Sequence, residues 1–282
     1  MTIAEALQKA RTILAENGIE NPGLDSRILL AYVYDIEISR IVLMDEQTFH
    51  EEVSAKYFDL IEKRKNKYPV AYLTGEREFF SLDFKVNPEV LIPRPESEEL
   101  IEWIIEQKVE CERTLDLCTG SGCIGIALAL NYPVSTLHLS DISEKALEIT
   151  KYNAENLLSN KSELNWDVIQ SDLMSNIHSH YNLIVTNPPY VLPDEYDNLM
   201  DDVRKFEPEI ALLVNDYIQF FSDLLTQAYD RLFGGGSIFI ETNPRMIEHT
   251  ILIMKDLGFT SIQTHHDLSG KERFIKGQKP NN

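Results

Sequence analysis

From Glu96 onward the chain alternates short β-branched and aliphatic runs with longer amphipathic stretches, and this alternation restricts the fold more than any other feature. Strand-type runs occur at Thr114–Leu117, Thr136–Leu139, Trp166–Gln170, Leu183–Val185 and Ser237–Glu241. Around them lie helix-type stretches at Ser97–Lys108, Ile124–Leu130, Glu144–Leu158 and Tyr217–Leu232. Neighbouring parallel strands need a crossover connection, and a helix returning over the sheet supplies one. The pattern therefore predicts an α/β fold, a mostly parallel, doubly wound, Rossmann-like sheet with helices on both faces. Ligands of such sheets bind outside the carboxyl ends of the strands. The notable polar motifs of this sequence all lie at those ends.

The first residues have a different texture. Ile3, Ala6, Leu7, Ala10, Ile13 and Leu14 recur at helical spacing, and Asn17-Gly18 is a helix stop. A second helix is expected from Asn21-Pro22, with Leu24, Ile28, Leu29 and Tyr32 on one face. A third is expected over Glu51–Lys67, through Tyr57, Phe58, Leu60 and Ile61. Strand signals are missing there, so residues 1–69 are expected to form a small all-helical domain. Residues 70–95 mix aromatic and β-branched residues with Gly75 and Ser81-Leu82-Asp83, which predicts a hairpin linker. Within it, Ile92-Pro93-Arg94-Pro95 is stiff and extended, because each proline restricts its predecessor. Residues 96–282 then form the α/β domain.

Charge and cysteine usage narrow the chemistry. No apolar run approaches the ~18 residues of a membrane helix, and the N-terminal pattern is amphipathic, unlike a signal peptide. The three cysteines include no C-x-x-C pair, so neither a disulfide framework nor a zinc site is expected. A reducing cytoplasm is the expected location. His178-x-His180 and His265-His266 have no cysteine or carboxylate cluster beside them, and no metal is expected. The formal net charge is −20, which repels a polyanion unless a local basic patch overrides it. The dense basic run Lys63-Arg64-Lys65-Asn66-Lys67 reads first as a helix C-terminus, where cations complement the dipole. A contact to an anionic partner is its other reading.

In "TLDLCTGSGCIGIAL", Thr114–Leu128, a strand ends at Asp116 and a turn with Gly120 and Gly122 opens a helix. Glycine there lets the backbone approach a ligand closely. Gly120, Gly122 and Gly125 match the dinucleotide expression G-x-G-x-x-G, a pattern that suits a nicotinamide dinucleotide and other nucleoside cofactors alike. A tight turn without a ligand gives the same residues. Asp141 ends the next strand, about 20 residues on, where a carboxylate accepts from both ribose hydroxyls of a nucleoside. The plainer role, an N-cap for the following helix, is open to Asp141 and to Ser143. Asp172-Leu173, after the strand "WDVIQ", pairs an acid for an adenine amino group with a hydrophobe to cover its ring. Alone it also reads as a loop cap.

The tract "TNPPY", Thr186–Tyr190, follows the apolar run Leu183–Val185. Consecutive prolines end the strand, since neither has an N–H to give. They hold the Asn187 side-chain oxygen and the Pro188 carbonyl outward as two acceptors for a single –NH2 group. Tyr190 is placed to lie against the planar group that carries this nitrogen. An amide or aryl amine is a poor nucleophile, because its lone pair is delocalised. Orientation toward an electrophilic methyl is what such a nitrogen most needs.

Taken together, "VLIPRPESEEL", "LDLCTGSGCIGIALA", "DISEKAL", "QSDL", "IVTNPPYV", "FEPEIAL" and "DLSGKERF" resemble, in order and spacing, one family. It is that of the protein-(glutamine-N(5)) methyltransferases acting on peptide chain release factors, the PrmC/HemK family. The resemblance runs from about Pro69 to Ile275, and the helical N-terminal region suits that family's recognition domain. It implies a class I S-adenosyl-L-methionine-dependent methyltransferase domain that releases S-adenosyl-L-homocysteine. Cys118, Thr119, Gly120, Ser121 and Gly122 would line the methionine and ribose part of the cofactor, Asp141 the ribose, and Asp172 and Leu173 the adenine. Asn187, Pro188, Pro189 and Tyr190 would hold the glutamine amide of a Gly-Gly-Gln motif, with Asn187 also beside the cofactor. The resemblance places Arg94 and Glu96 near the pocket, and Phe79-Phe80 either in its wall or in the hairpin core.

The chain departs from the family pattern in three places: Cys118 in place of a glycine, Leu173 where some relatives have an aromatic, and Thr242-Asn243-Pro244-Arg245 after the strand "IFIE". A DNA or RNA amino-group methyltransferase needs the same grip on –NH2, but also a basic groove. From residue 93 on, 15 basic residues face 30 acidic ones, so no direct nucleic-acid contact is expected. A scaffold protein would not need Asn187, and hydride transfer would not need Asn-Pro-Pro-Tyr.

Overall fold

The computed structural model describes residues 1–281, in two compact units: Met1–Glu76 with Met200–Phe206, and Arg77–Leu199 with Glu207–Asn282. The first unit is helical. α1 (Ile3–Glu16) opens on a capping box in which Glu5 N–H donates to Thr2 Oγ1 and Thr2 N–H to Glu5 Oε2. It stops at Gly18, with the next amide, Ile19, bonded back to the Leu14 carbonyl. Ile3, Ala6, Ala10 and Leu14 are its buried face, packing with α2 (Pro22–Tyr34) and α3 (Glu51–Lys65). A short α4 (Val70–Thr74) follows.

One expectation changes here. Leu24 and Tyr32 are exposed, and α2 instead buries Asp25, Ser26, Leu29, Leu30 and Ala31. The reason is a buried ion pair. Arg64 Nε sits 2.7 Å from Asp25 Oδ2 and turns an acidic residue inward at the cost of its apolar neighbour. The basic run is consumed inside the unit, since Arg64 pairs with Asp25, Lys63 with Asp59 and Lys65 with Glu62, while Lys67 donates to the Gly18 carbonyl. That is the helix C-terminus reading.

The second unit starts at Arg77, within the hairpin of β1 (Glu76–Phe79) and β2 (Leu82–Lys85). Its two turn residues, Phe80 and Ser81, both have left-handed φ, 52° and 59°. This is the mirror-image turn whose twist matches paired strands. Phe79 lies in the core against Phe84, so it does not wall the site.

α5 (Glu96–Gln107), β3 (Arg113–Leu117), α6 (Cys123–Asn131), β4 (Thr136–Asp141), α7 (Glu144–Leu157), β5 (Asn165–Gln170) and β6 (Tyr181–Thr186) follow in turn. Beyond them come short α8 (Pro193–Tyr196) and α9 (Asp201–Phe206), then α10 (Tyr217–Arg231), β7 (Leu232–Glu241), α11 (Ile247–Asp256), β8 (Thr260–His266) and β9 (Glu272–Gln278). The sheet order is β5-β4-β3-β6-β7-β9-β8, with β9 antiparallel to both neighbours and the other pairings parallel. Strand alternation sorts the two faces. Leu183, Val185 and Phe239 meet α5 and α6, whereas Ile184, Ile238 and Ile240 meet α10 and α11. Gly234–Gly236 lies inside β7, next to the register shift at Tyr181/Leu183.

Candidate active site

The strand order reverses between β3 and β6, and the chain's polar motifs gather around the carboxyl ends of β3, β4, β5 and β6. A ligand crevice is expected at this switch point. A cleft is present there, walled by the Cys118–Ser121 loop, Asp141, Asp172, Leu173, Asn187, Pro189 and the Glu89–Arg94 segment.

The loop after β3 is held from several sides. Cys118 takes a left-handed φ of 57°, a conformation costing a non-glycine residue about 1 kcal/mol and explaining why a glycine would suit that position. Gly122 closes the turn at φ 84° and leads into α6. Thr119 Oγ1 donates to Asp116 Oδ2 at 2.6 Å, and Gly125 N–H donates to the same oxygen at 2.9 Å. Asp116 is therefore a buried loop anchor, with burial lifting its carboxyl to about 7. From α7, Thr150 Oγ1 donates to the Gly120 carbonyl at 2.7 Å and Asn153 Nδ2 to the Ser121 carbonyl at 2.8 Å.

Asp141 stands at the end of β4. Its Oδ2 accepts from Gly120 N–H at 2.9 Å and its Oδ1 from Ser143 N–H at 3.0 Å. Desolvation raises its pKa against these amides. The N-cap role falls to Ser143, whose Oγ accepts from Ala146 N–H, so Asp141 keeps lone pairs toward the cleft. Asp172 is exposed on the cleft rim, and Leu173 beside it has φ 46°.

Asn187 and Pro189 face the cleft from the β6 end; Pro188 is buried beside them. Asn187 Nδ2 donates to Ser97 Oγ at 3.2 Å, and among the described residues no hydrogen bond reaches its Oδ1. Ser97 Oγ in turn donates to Glu241 Oε2 at 2.6 Å. Tyr190 is half-buried with its hydroxyl turned away to Glu241 Oε1 at 3.0 Å, and the ring is not part of the cleft wall. Burial raises the Tyr190 and Glu241 pKa values, while the Arg273 charge pulls both down.

Ser97, Thr150, Asn153 and Glu241 carried no signal in the sequence, because each acts through a partner many residues away. Arg94 does line the cleft and Glu96 does not. His265 stacks on Trp103 at 5.2 Å, and no group of metal-binding side chains occurs among the described residues. The Thr242–Arg245 segment is well anchored, with Asn243 Nδ2 donating to the Tyr190 carbonyl.

The sheet order and the placement of these loops define a class I methyltransferase fold. Solved structures agree at the level of fold. A methyltransferase from Pyrococcus furiosus aligns with a TM-score of 0.53 at 17% identity, covering 72% of this chain and 91% of that one. The hMettl16 catalytic domain aligns with 0.57 at 13% identity, covering 83% and 82%. In sequence, the PrmC N-terminal domain family matches residues 5–75 and the methyltransferase small domain family residues 96–202. The release factor glutamine methyltransferase of Leptospira interrogans serogroup Icterohaemorrhagiae serovar Lai is 37% identical over 97% of both chains. That of Clostridium acetobutylicum is 36% identical over 98% of both. The chain belongs to the release factor glutamine methyltransferase family.

Proposed function

We propose that this protein moves the methyl group of S-adenosyl-L-methionine onto the side-chain amide nitrogen of the glutamine in a release factor Gly-Gly-Gln motif, leaving S-adenosyl-L-homocysteine. The observation that carries this reading is the Asn187 amide. Its NH2 is committed to Ser97, so its Oδ1 is left to accept from a substrate –NH2. The full-length relatives and the class I fold support the same activity.

The residues present fit the cofactor. Ser121 Oγ is buried without a hydrogen-bond partner among the described residues, and Asp141 offers its remaining lone pairs to ribose hydroxyls. Cys118, Thr119 and Gly120 supply close backbone approach, and Asp172 with Leu173 the adenine end, while Gly122 lies outside the cleft wall and serves the turn into α6. When bound, the cofactor supplies an electrophilic methyl on a sulfonium sulfur. Asn187 Oδ1 and the Pro188 carbonyl orient the amide N–H groups so that the nitrogen faces that carbon. Pro189 completes the substrate side of the cleft, and Tyr190, whose ring lies outside the cleft wall, steadies the tract through its bond to Glu241. Ile210, Ala211 and Phe220 contribute apolar cover that limits water. No helix among the described residues is long and apolar enough to cross a membrane. A cytoplasmic location follows from the proposed substrate.

The test is incubation of purified protein with methyl-labelled S-adenosyl-L-methionine and a release factor, then mass spectrometry. One added methyl on the motif glutamine, lost when that glutamine is changed to alanine, is expected. Label on DNA or RNA with none on release factor would replace this reading with a nucleic-acid one.

A further inference from the structure

Three segments far apart in sequence meet beside the cleft: the start of α5 at Ser97, the end of β6 at Asn187 and the end of β7 at Glu241. Ser97 and Glu241 are 2% and 1% exposed, so bulk water does not compete for their hydrogen bonds. A serine hydroxyl has a single proton. Here that proton goes to Glu241 Oε2 at 2.6 Å, the short distance of a bond to a charged acceptor. Toward Asn187, Ser97 is then an acceptor alone.

We propose that Ser97 and Glu241 are positioning residues that fix which end of the Asn187 amide faces the substrate. The two ends of an asparagine amide have nearly the same shape, and packing alone hardly tells them apart. Turned over, Asn187 would present its own NH2 to the substrate –NH2, donor against donor. The Ser97 lone pair, polarised by Glu241, excludes this by demanding the Asn187 NH2 for itself. The same carboxylate takes the Tyr190 hydroxyl at 3.0 Å, so Glu241 ties down both polar side chains of the Asn-Pro-Pro-Tyr tract. Tyr190 and Arg273 bring partial and full positive charge to Glu241, which opposes the cost of keeping it ionised when buried. The inference rests on the methyl-transfer reading of Asn187.

The test compares Ser97→Thr, which keeps the hydroxyl, with Ser97→Val, which keeps threonine's shape without it. Transfer to release factor, cofactor affinity by calorimetry and the thermal melt are measured for each. Ser97→Thr should retain kcat within about threefold. Ser97→Val should lower kcat by about 10- to 100-fold with cofactor affinity nearly unchanged, the range expected when a reacting group is slightly misplaced. In an Asn187→Ala background, Ser97→Val should cause no further loss, because the group it orients is gone. A Ser97→Val loss of equal factor in both backgrounds, or no loss in the wild-type background, overturns the proposal while leaving the methyltransferase reading intact. A wild-type chain that transfers nothing to release factor removes that reading and this proposal together.

Discussion

Arg94 and Glu207 stand 113 residues apart in the chain, with Arg94 Nη2 only 2.7 Å from Glu207 Oε1. The other Glu207 oxygen takes the Ile92 N–H at 3.1 Å. One buried carboxylate thus clips the stiff Ile92–Pro95 tract in place and holds the guanidinium at the cleft wall. Glu207→Ala should cost about 2–3 kcal/mol in urea unfolding, because it leaves a partly buried cation and an amide unpaired. Glu207→Gln keeps one acceptor but sets its –NH2 against the Arg94 guanidinium or the Ile92 N–H, and should cost about 1–2 kcal/mol. Equal losses would show that the acceptor kept by glutamine contributes nothing and that the carboxylate charge holds the tract.

Asn187→Ala removes the proposed amide acceptor and touches little of the cofactor's binding surface. Methyl transfer should fall by about 10²- to 10³-fold, the scale seen when a group that interacts with the transition state is deleted. Cofactor affinity by calorimetry should change by less than about threefold. A parallel collapse of affinity would place Asn187 among the cofactor's supports instead.

Gly125→Ala probes how tightly α6 lies on the sheet. A Cβ there would come within 2.8 Å of Asp116 Cβ and of Leu139 Cδ2. Overpacking of this kind costs about 1–3 kcal/mol. The denaturation midpoint should drop accordingly. An unchanged midpoint would mean that the helix slides away freely.

Asp116 gives the chain a pH signature. Its folded carboxyl titrates at about 7, raised chiefly by burial, against about 3.9 for an unfolded aspartate. The folded state therefore holds this proton more tightly. Its stabilising contribution is full below about pH 4 and is lost as pH rises through about 7. Asp116→Asn stays neutral throughout, so wild type should lose stability relative to the variant across that window and level off above it. Urea midpoints of both proteins at a series of pH values measure the difference. A gap constant with pH would remove the assignment. Asp141 and Glu241 also have raised values, but both proteins contain them and they cancel.

Much of the site was readable because its signals are local. The β3 loop needs left-handed φ at Gly120 and Gly122, and consecutive prolines mark the end of β6. Asp141 could be assigned to a strand end by counting onward from the glycines. The last strands were missed for a physical reason. β8 is an edge strand of mixed polar composition, Thr260–His266, and β9 pairs antiparallel on both sides, so neither shows a buried apolar run with a crossover helix. On α2, apolar spacing favoured Leu24 and Tyr32, but the Arg64–Asp25 pair set which face turned inward.

The sequence by itself determined the helical and α/β textures, the glycine turn, the acid at the β4 end and the Asn-Pro-Pro-Tyr tract. Each of these depends on backbone preferences and side-chain periods confined to a few consecutive residues. Only the tertiary structure decided that Ser97 meets Asn187 and Glu241, that Thr150 and Asn153 brace the glycine loop, and that Glu207 holds Arg94. Those partners are chosen by strand register and helix packing across dozens of residues, and a hydrogen bond formed at that range leaves no periodic trace in the chain.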